Sequence, residues 1–182
     1  MAKIYQILFN IYIIFISLSI LEINSKEISI RNNDDNFINL QNIINENQSN
    51  NELVIKFEDD YYDMSKLTFA VELIVNTDIK IIGKNNGTTF DFNNDKKGKL
   101  TFSFLRNRGE IVQLININFI NFFSEELVGV QLITVISNFY NFQFIVNNCN
   151  FQDNHYVIFH FKIYCSKLSS MDTQFLITNS NF

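Results

Sequence analysis

The sequence predicts an all-β solenoid, and a repeated motif of eight places is the main reason for that prediction. The motif occurs three times, as Val112–Phe119, Phe144–Phe151 and Phe175–Phe182. Its copies share apolar residues at the first, third and eighth places and asparagine at the fifth and seventh, and they follow one another at nearly equal intervals. Self-similarity at a fixed period of this length indicates a repeat protein in which each unit forms one coil. After residue 52 no long helical periodicity interrupts the pattern, so we expect strands there.

The fifth place of the motif is predicted to be a bend. Apolar residues up to that point alternate as in a strand, but Leu114 and Ile117 are three steps apart, so the chain must turn for both to face inward. Asparagine suits such a turn because it tolerates the left-handed backbone region. We expect Asn116, Asn148 and Asn179 to form a structural ladder of amide hydrogen bonds, worth about 1 kcal/mol each. The inward phenylalanines, at about 1.5–3 kcal/mol each, should supply more of the stability.

The elements before the repeat predict an N-terminal cap and the first coils. Lys26–Arg31 alternates as a short strand, and Asp34 and Asp35 supply N-cap chemistry for a helix with Phe37, Leu40, Ile43 and Ile44 on one side. Further strands are predicted at Leu53–Phe57, Phe69–Val75, Asp78–Ile82, Thr88–Phe92 and Leu100–Phe104. The cap should occupy about 26–52 and the coils about 53–182.

The N-terminal segment, 1–25, is predicted to be a secretory signal peptide. Lys3 precedes the apolar run Ile4–Leu21, and Ile23–Ser25 offers a small residue at a cleavage point. The alternative is an uncleaved anchor formed by the segment 4–21, because about 18 apolar residues nearly span a bilayer. We therefore expect a secreted protein, or a membrane-anchored one.

Secretion gives a context to two further sequence features. Cys149 and Cys165 could pair in an oxidising compartment, and two free thiols are the alternative. Asn47 and Asn86 each begin an Asn-X-Ser/Thr sequence, which is an N-glycosylation acceptor in a eukaryotic secretory route.

The repeat, the strand Asp78–Gly83 and the helix before it resemble right-handed parallel β-helix proteins of the pectin-lyase-like superfamily. The resemblance covers roughly 26–182 and implies about four to five coils, parallel stacking, a capping helix at the N-terminal end and asparagine at the turn between two sheets. Many proteins of that superfamily cleave or bind polysaccharides, so it also implies a search for carboxylates and aromatic rings.

The densest acidic cluster is Glu58-Asp59-Asp60, directly before two tyrosines. Asp59, Asp60, Tyr61 and Tyr62 are the ligand surface that the sequence suggests, and a solvated turn is the alternative. Glycoside hydrolysis needs two placed carboxyl groups, and no such pair stands out. The polygalacturonase-type hallmarks are missing apart from Asn76-Thr77-Asp78, which stands without its companions. We therefore assign no catalytic residue.

Other reactive side chains are isolated in the sequence. His155 and His160 have no Cys, His or acid at ligand spacing, so neither a metal site nor a cofactor is predicted. Arg106 and Arg108 flank a turn and could meet an anionic sugar, and a solvated loop is the alternative. Outward tyrosines could stack on sugar rings if several lined one sheet; they are Tyr61, Tyr62, Tyr140, Tyr156 and Tyr164.

Charge and composition narrow the function further. The net charge is −5 without a basic run, which argues against nucleic acid and anionic membranes as partners. We expect a secreted, noncatalytic solenoid acting as a cell-surface, adhesion or carbohydrate-binding module. The alternative is an extracellular polysaccharide lyase or glycoside hydrolase, or an inactive fragment of one. The last repeat unit places Phe182 in mid-coil, so we also expect a continuation of the repeat or end-to-end self-association.

Overall fold

The computed structural model describes residues 25–32, 35–49, 51–124, 130–155, 157–164 and 174–182. Within these ranges two short helices come early, α1 at Asp35–Ile38 and α2 at Leu40–Glu46, and a 3₁₀ turn spans Met64–Lys66. Strands make up most of the rest of the described chain: β1 Ser25–Ile30, β2 Glu52–Phe57, β3 Tyr61–Asp63, β4 Ala70–Val75, β5 Asp78–Ile82, β6 Thr88–Asp95, β7 Lys99–Phe104, β8 Ile111–Ile115, β9 Ile117–Phe122, β10 Ile133–Ser137, β11 Gln143–Asn147, β12 Asn150–Gln152, β13 Phe159–Ile163 and β14 Phe175–Thr178.

The strands form three parallel sheets wound as one solenoid. Sheet A has the order β1-β2-β5-β8-β11-β14, sheet B contains β3, β6, β9 and β12, and sheet C contains β4, β7, β10 and β13. From β2 onward the chain visits sheets A, B and C in turn, so each circuit is one coil and about five turns result. The predicted fold class, an all-β parallel β-helix with a short N-terminal helix, is confirmed.

The register between coils follows the sequence repeat. Phe144 pairs with Val112 on one side and with Phe175 on the other, so the first places of the three motif copies are direct neighbours on sheet A. Phe119 and Phe151, at the eighth place, pair on sheet B. The period in the sequence is therefore the length of one coil.

A column of aromatic rings runs through the core on the inner side of sheet B. Its rings are Tyr62, Phe90, Phe119, Phe151 and Phe182, with successive centroids 6.0, 5.6, 4.9 and 4.9 Å apart. Such ring pairs add about 0.5–1.5 kcal/mol each beyond the burial of their surface. Phe119 and Phe151 face inward as predicted, and the column extends two rungs further toward the N-terminus than the motif does.

The helical segment caps sheet C by replacing a missing strand. Gln41 accepts from the backbone N–H of Glu72, Asn45 accepts from that of Ile74, and Asn45 also donates to the Glu72 carbonyl. Gln48 continues the series by donating to the Ile74 carbonyl and accepting from the N–H of Asn76. The exposed edge of β4 is thereby satisfied by side-chain amides, which protects it from pairing with other chains. Phe37, Leu40 and Ile44 are buried beneath the helices.

No helix in the described ranges is long and apolar enough to cross a membrane. The predicted signal or anchor segment, 4–21, lies outside the described residues.

Candidate functional site

The predicted ligand surface at positions 59–62 is largely a set of structural contacts. Asp59 accepts the backbone N–H of Asn32 at 2.7 Å, and Asp60 forms an ion pair with Lys84 at 2.6 Å. The Asp60 carboxylate raises the pKa of the Lys84 ammonium. Both acids therefore contact neighbouring segments, the Asp60–Lys84 pair at the exposed surface, and a ligand role for them stays a prediction.

Tyr62 corrects the sequence prediction, because it does not face outward. Its side chain is fully buried, its hydroxyl donates to the Ile30 carbonyl at 2.6 Å, and it accepts from the N–H of Asp59. Burial raises its pKa to about 12. Tyr62 faces inward because it is paired in sheet B with Phe90, and paired residues lie on the same face of a sheet. Tyr62 thus begins the inner aromatic column.

Tyr61 does face solvent, as predicted. Its hydroxyl is 3.1 Å from a carboxylate oxygen of Asp91, and burial together with this contact raises its pKa. Tyr164 is also exposed, but it follows sheet C whereas Tyr61 lies on sheet B. Tyr140 is partly buried, and Tyr156 lies outside the described residues. The tyrosines do not line one sheet, so a shared stacking platform does not form among those described.

The asparagine bend is confirmed, while its hydrogen-bonded ladder is only partly so. Asn116, Asn148 and Asn179 all have positive φ, between 51° and 59°. Asn148 donates to Asn116 at 2.7 Å, but Asn179 donates instead to Asn147 at 3.1 Å. The predicted hydrogen bond from Asn179 to Asn148 was therefore wrong, because the Asn179 side chain reaches Asn147, the residue before the bend.

A second bend, near the ends of the sheet B strands, was missed by sequence reasoning. Asn93, Asn121 and Asp153 have positive φ there, and Asn121 donates to Asp91, which also accepts from the Asn93 N–H. Asn121 and Asp153 are separated by the same interval as the first two motif copies, and this spacing could have revealed the bend. Because one position carries Asp, the identity between the coils is lost.

The glycosylation acceptors differ in setting. Asn86 is exposed in the turn before β6, while the Thr88 hydroxyl of the same motif is buried and donates to the Asp59 carbonyl at 3.1 Å. Asn47 is partly buried and donates to the Ile43 carbonyl at the end of α2. Modification at both stays a prediction.

Cys149 is a buried thiol in the core, and no described residue is bonded to it through a disulfide. Burial raises its pKa to about 11. Cys165 lies outside the described residues, so the predicted pairing stays a prediction.

The histidines form no cluster in the described ranges. His155 packs edge-on against Phe123, and His160 pairs with Thr134 on sheet C. Within the same residues no group of three His, Cys, Asp or Glu side chains could hold a metal ion.

A polar cleft of about 540 Å³ lies where sheet C passes to sheet A. We call it the arginine cleft; the walls used below are Asn51, Asn76, Asp78, Arg106, Arg108 and Glu110. Both arginines are exposed, and neither forms an ion pair within the described part of the chain. Asp78 accepts the N–H of Ile111 at 2.9 Å, which fixes the β7–β8 loop against the β4–β5 turn. The Asn76-Thr77-Asp78 triplet thus lies at a cleft.

Glu110 is the unusual member of this cleft. It is 4% exposed, and both carboxylate oxygens are buried without a hydrogen-bond partner among the described residues. A buried charged group without a donor is costly. A donor that reached these oxygens would therefore gain a strong interaction. The surrounding chain closes both oxygens to solvent, so a ligand could reach them only if that chain moved.

Comparison of the chain with protein-family models, curated proteins and solved structures found no match.

Proposed function

We propose that this protein is a secreted, noncatalytic β-solenoid that binds polysaccharide at a cell surface, with the arginine cleft as its binding site. The proposal rests on one loop that carries both Arg106 and Arg108, which are exposed, and Glu110. The carboxylate of Glu110 is buried without a hydrogen-bond partner among the described residues. We further infer kinship with the pectin-lyase-like superfamily, supported by the capping helix and the asparagine bends.

The cleft suits a sugar polymer that carries carboxylate or sulfate groups. Guanidinium groups bind such planar or branched anions through two parallel hydrogen bonds. The amides of Asn51 and Asn76 lie beside them and can both donate to and accept from sugar hydroxyls. Glu110 would accept a hydroxyl hydrogen once the loop moves. Because the whole chain carries −5, binding should depend on these two positive groups.

A noncatalytic role is supported by the tasks of the acidic side chains near the predicted surface. Asp59 holds a backbone N–H, Asp60 pairs with Lys84, and Asp63 accepts from Ser65 and Asn93. These carboxylates contact neighbouring segments, and none of the three lies among the walls of the arginine cleft.

The test is binding of the secreted protein to an array of neutral and acidic polysaccharides. We expect binding to one or more acidic polymers, weakened by salt because the contact is ionic. Replacing both Arg106 and Arg108 with Ala should weaken it at least tenfold, and Glu110→Gln should weaken it less. Arg31→Ala is the matched control, since Arg31 is exposed outside the cleft.

Two results would contradict this proposal. One is binding that the double arginine variant retains in full, and the other is no binding to any glycan. New chain ends in the incubated polysaccharides would replace the proposal with the polysaccharide-cleaving alternative.

A further inference from the structure

The seventh place of the repeated motif is asparagine in all three copies, and the fold does not account for it. Asn118, Asn150 and Asn181 occupy these places. None of them has a positive φ, so the backbone reason that selects asparagine at the bend is absent. Asparagine is also depleted in strands. Within the described part of the chain, the three side chains form no hydrogen bond, so their amide groups are available to a ligand.

Parallel pairing places these amides in one column on the outer face of sheet B. Asn118 pairs with Asn150, and Asn150 pairs with Asn181 through a single bridge. In the other direction Thr89 pairs with Asn118, and Tyr61 pairs with Thr89. Each of the five is followed directly by a ring of the inner aromatic column, so its own side chain points away from the core. We call these five residues the outer column.

We propose that the outer column binds a neutral, extended polysaccharide whose chain runs along the solenoid axis. Neighbouring strands lie about 4.8 Å apart, and each sugar of an extended β-1,4-linked chain advances by nearly the same distance. One rung of the column can therefore meet one sugar. Side-chain amides both donate and accept hydrogen bonds, which suits sugar hydroxyls. The ring of Tyr61, which is 41% exposed, offers an apolar face on which a sugar ring can stack.

Charge on the same face favours a neutral ligand over an acidic one. The five side chains of the outer column are uncharged. Asp63 and Asp91 lie beside the column, two residues after Tyr61 on β3 and after Thr89 on β6, and they are paired with each other. Lys66 offsets part of this charge, 3.9 Å from Asp63. A polyanion would be repelled by the two carboxylates, so this site differs in ligand from the arginine cleft and does not depend on it.

Binding of the secreted protein to cellohexaose, chitohexaose and maltohexaose can be measured by isothermal titration calorimetry. We expect binding of at least one of the two β-1,4-linked chains, and none of maltohexaose, because its α-1,4 linkages curve the chain. Replacing both Asn118 and Asn150 with Ala should raise the dissociation constant at least tenfold. Gln113→Ala with Gln143→Ala is the matched control, because these outward amides lie on the same two coils but on sheet A.

Salt and the arginine variant separate this site from the arginine cleft. Hexasaccharide binding should be insensitive to salt and should persist when Arg106 and Arg108 are both replaced with Ala. Full binding in the double asparagine variant, or loss of binding in the double arginine variant, would overturn the proposal. Failure to bind either β-1,4-linked chain would overturn it as well, even if acidic polysaccharides bind at the arginine cleft. A dimer that the double asparagine variant abolishes would assign the column to a second copy of the chain instead.

Discussion

The asparagine at each bend acts through its backbone as well as through its side chain. Asn148 has a φ of 52° and also donates to Asn116. Residues with a Cβ other than Asn and Asp rarely adopt this conformation, which costs them about 1–2 kcal/mol. Glycine adopts it without strain but has no amide.

These two contributions can be separated at Asn148. We expect Asn148→Ala to lower the free energy of unfolding by about 1–2 kcal/mol because it imposes strain and removes the amide. Asn148→Gly should cost less, because the strain is absent. Urea denaturation measures both. Equal losses in the two variants would show that the backbone conformation is not what selects asparagine here.

The sequence predicted this bend because the alternation of inward residues changes there from two steps to three. Where no such pattern exists, the sequence did not predict which way a side chain faces. Tyr62 resembled a surface tyrosine because it follows three acids and precedes a fourth. Its inward direction depends on pairing with Phe90 in the next coil, which only the folded chain reveals. Glu110 is a lone acid in a loop in the sequence, and its burial depends on how three separate turns meet.

At the scale of elements, the cap does more than cover the open end of the core with an apolar helix face. Its polar side chains also bond to the backbone of β4. The sequence predicted the helix from Phe37, Leu40, Ile43 and Ile44, which explains why it packs on the core. It did not predict the function of the polar face. Gln41, Asn45 and Gln48 are common surface residues, and their spacing matters only because strand β4 offers alternate backbone groups beside them.

The cap is testable at Asn45, which bonds both Glu72 and Ile74. Asn45→Ala should lower the free energy of unfolding by about 1–2 kcal/mol, because two backbone groups lose their partner. It should also increase aggregation through the exposed edge. Chemical denaturation and light scattering measure the two effects. Asn42→Ala is the control, since Asn42 lies exposed on the same helix.

If the Asn45 variant behaved like the Asn42 variant, the amide ladder would be incidental. The protection of sheet C would then come from the apolar face of the helix alone.

At the scale of the whole molecule, one repeat length explains sheets, bends and core together. A nearly constant period places equivalent residues on neighbouring strands, so apolar residues stack on apolar ones and bends on bends. The sequence could predict this because each coil repeats the same solution. The loops between sheets C and A differ in length from coil to coil, so no repeated sequence pattern could predict the arginine cleft.

The most direct test of the stacked solenoid is the register between successive coils. Gln113 and Ile145, at equivalent places in two motif copies, are paired neighbours on the outer face of sheet A. Replaced by Cys in a Cys149→Ala and Cys165→Ala background, they should form an intramolecular disulfide, because neighbouring strands lie about 4.8 Å apart. Gln113→Cys with Asn147→Cys, about 8 Å apart by the same geometry, should not. Peptide mapping that finds the second disulfide instead of the first, or both equally, would contradict the stacked solenoid.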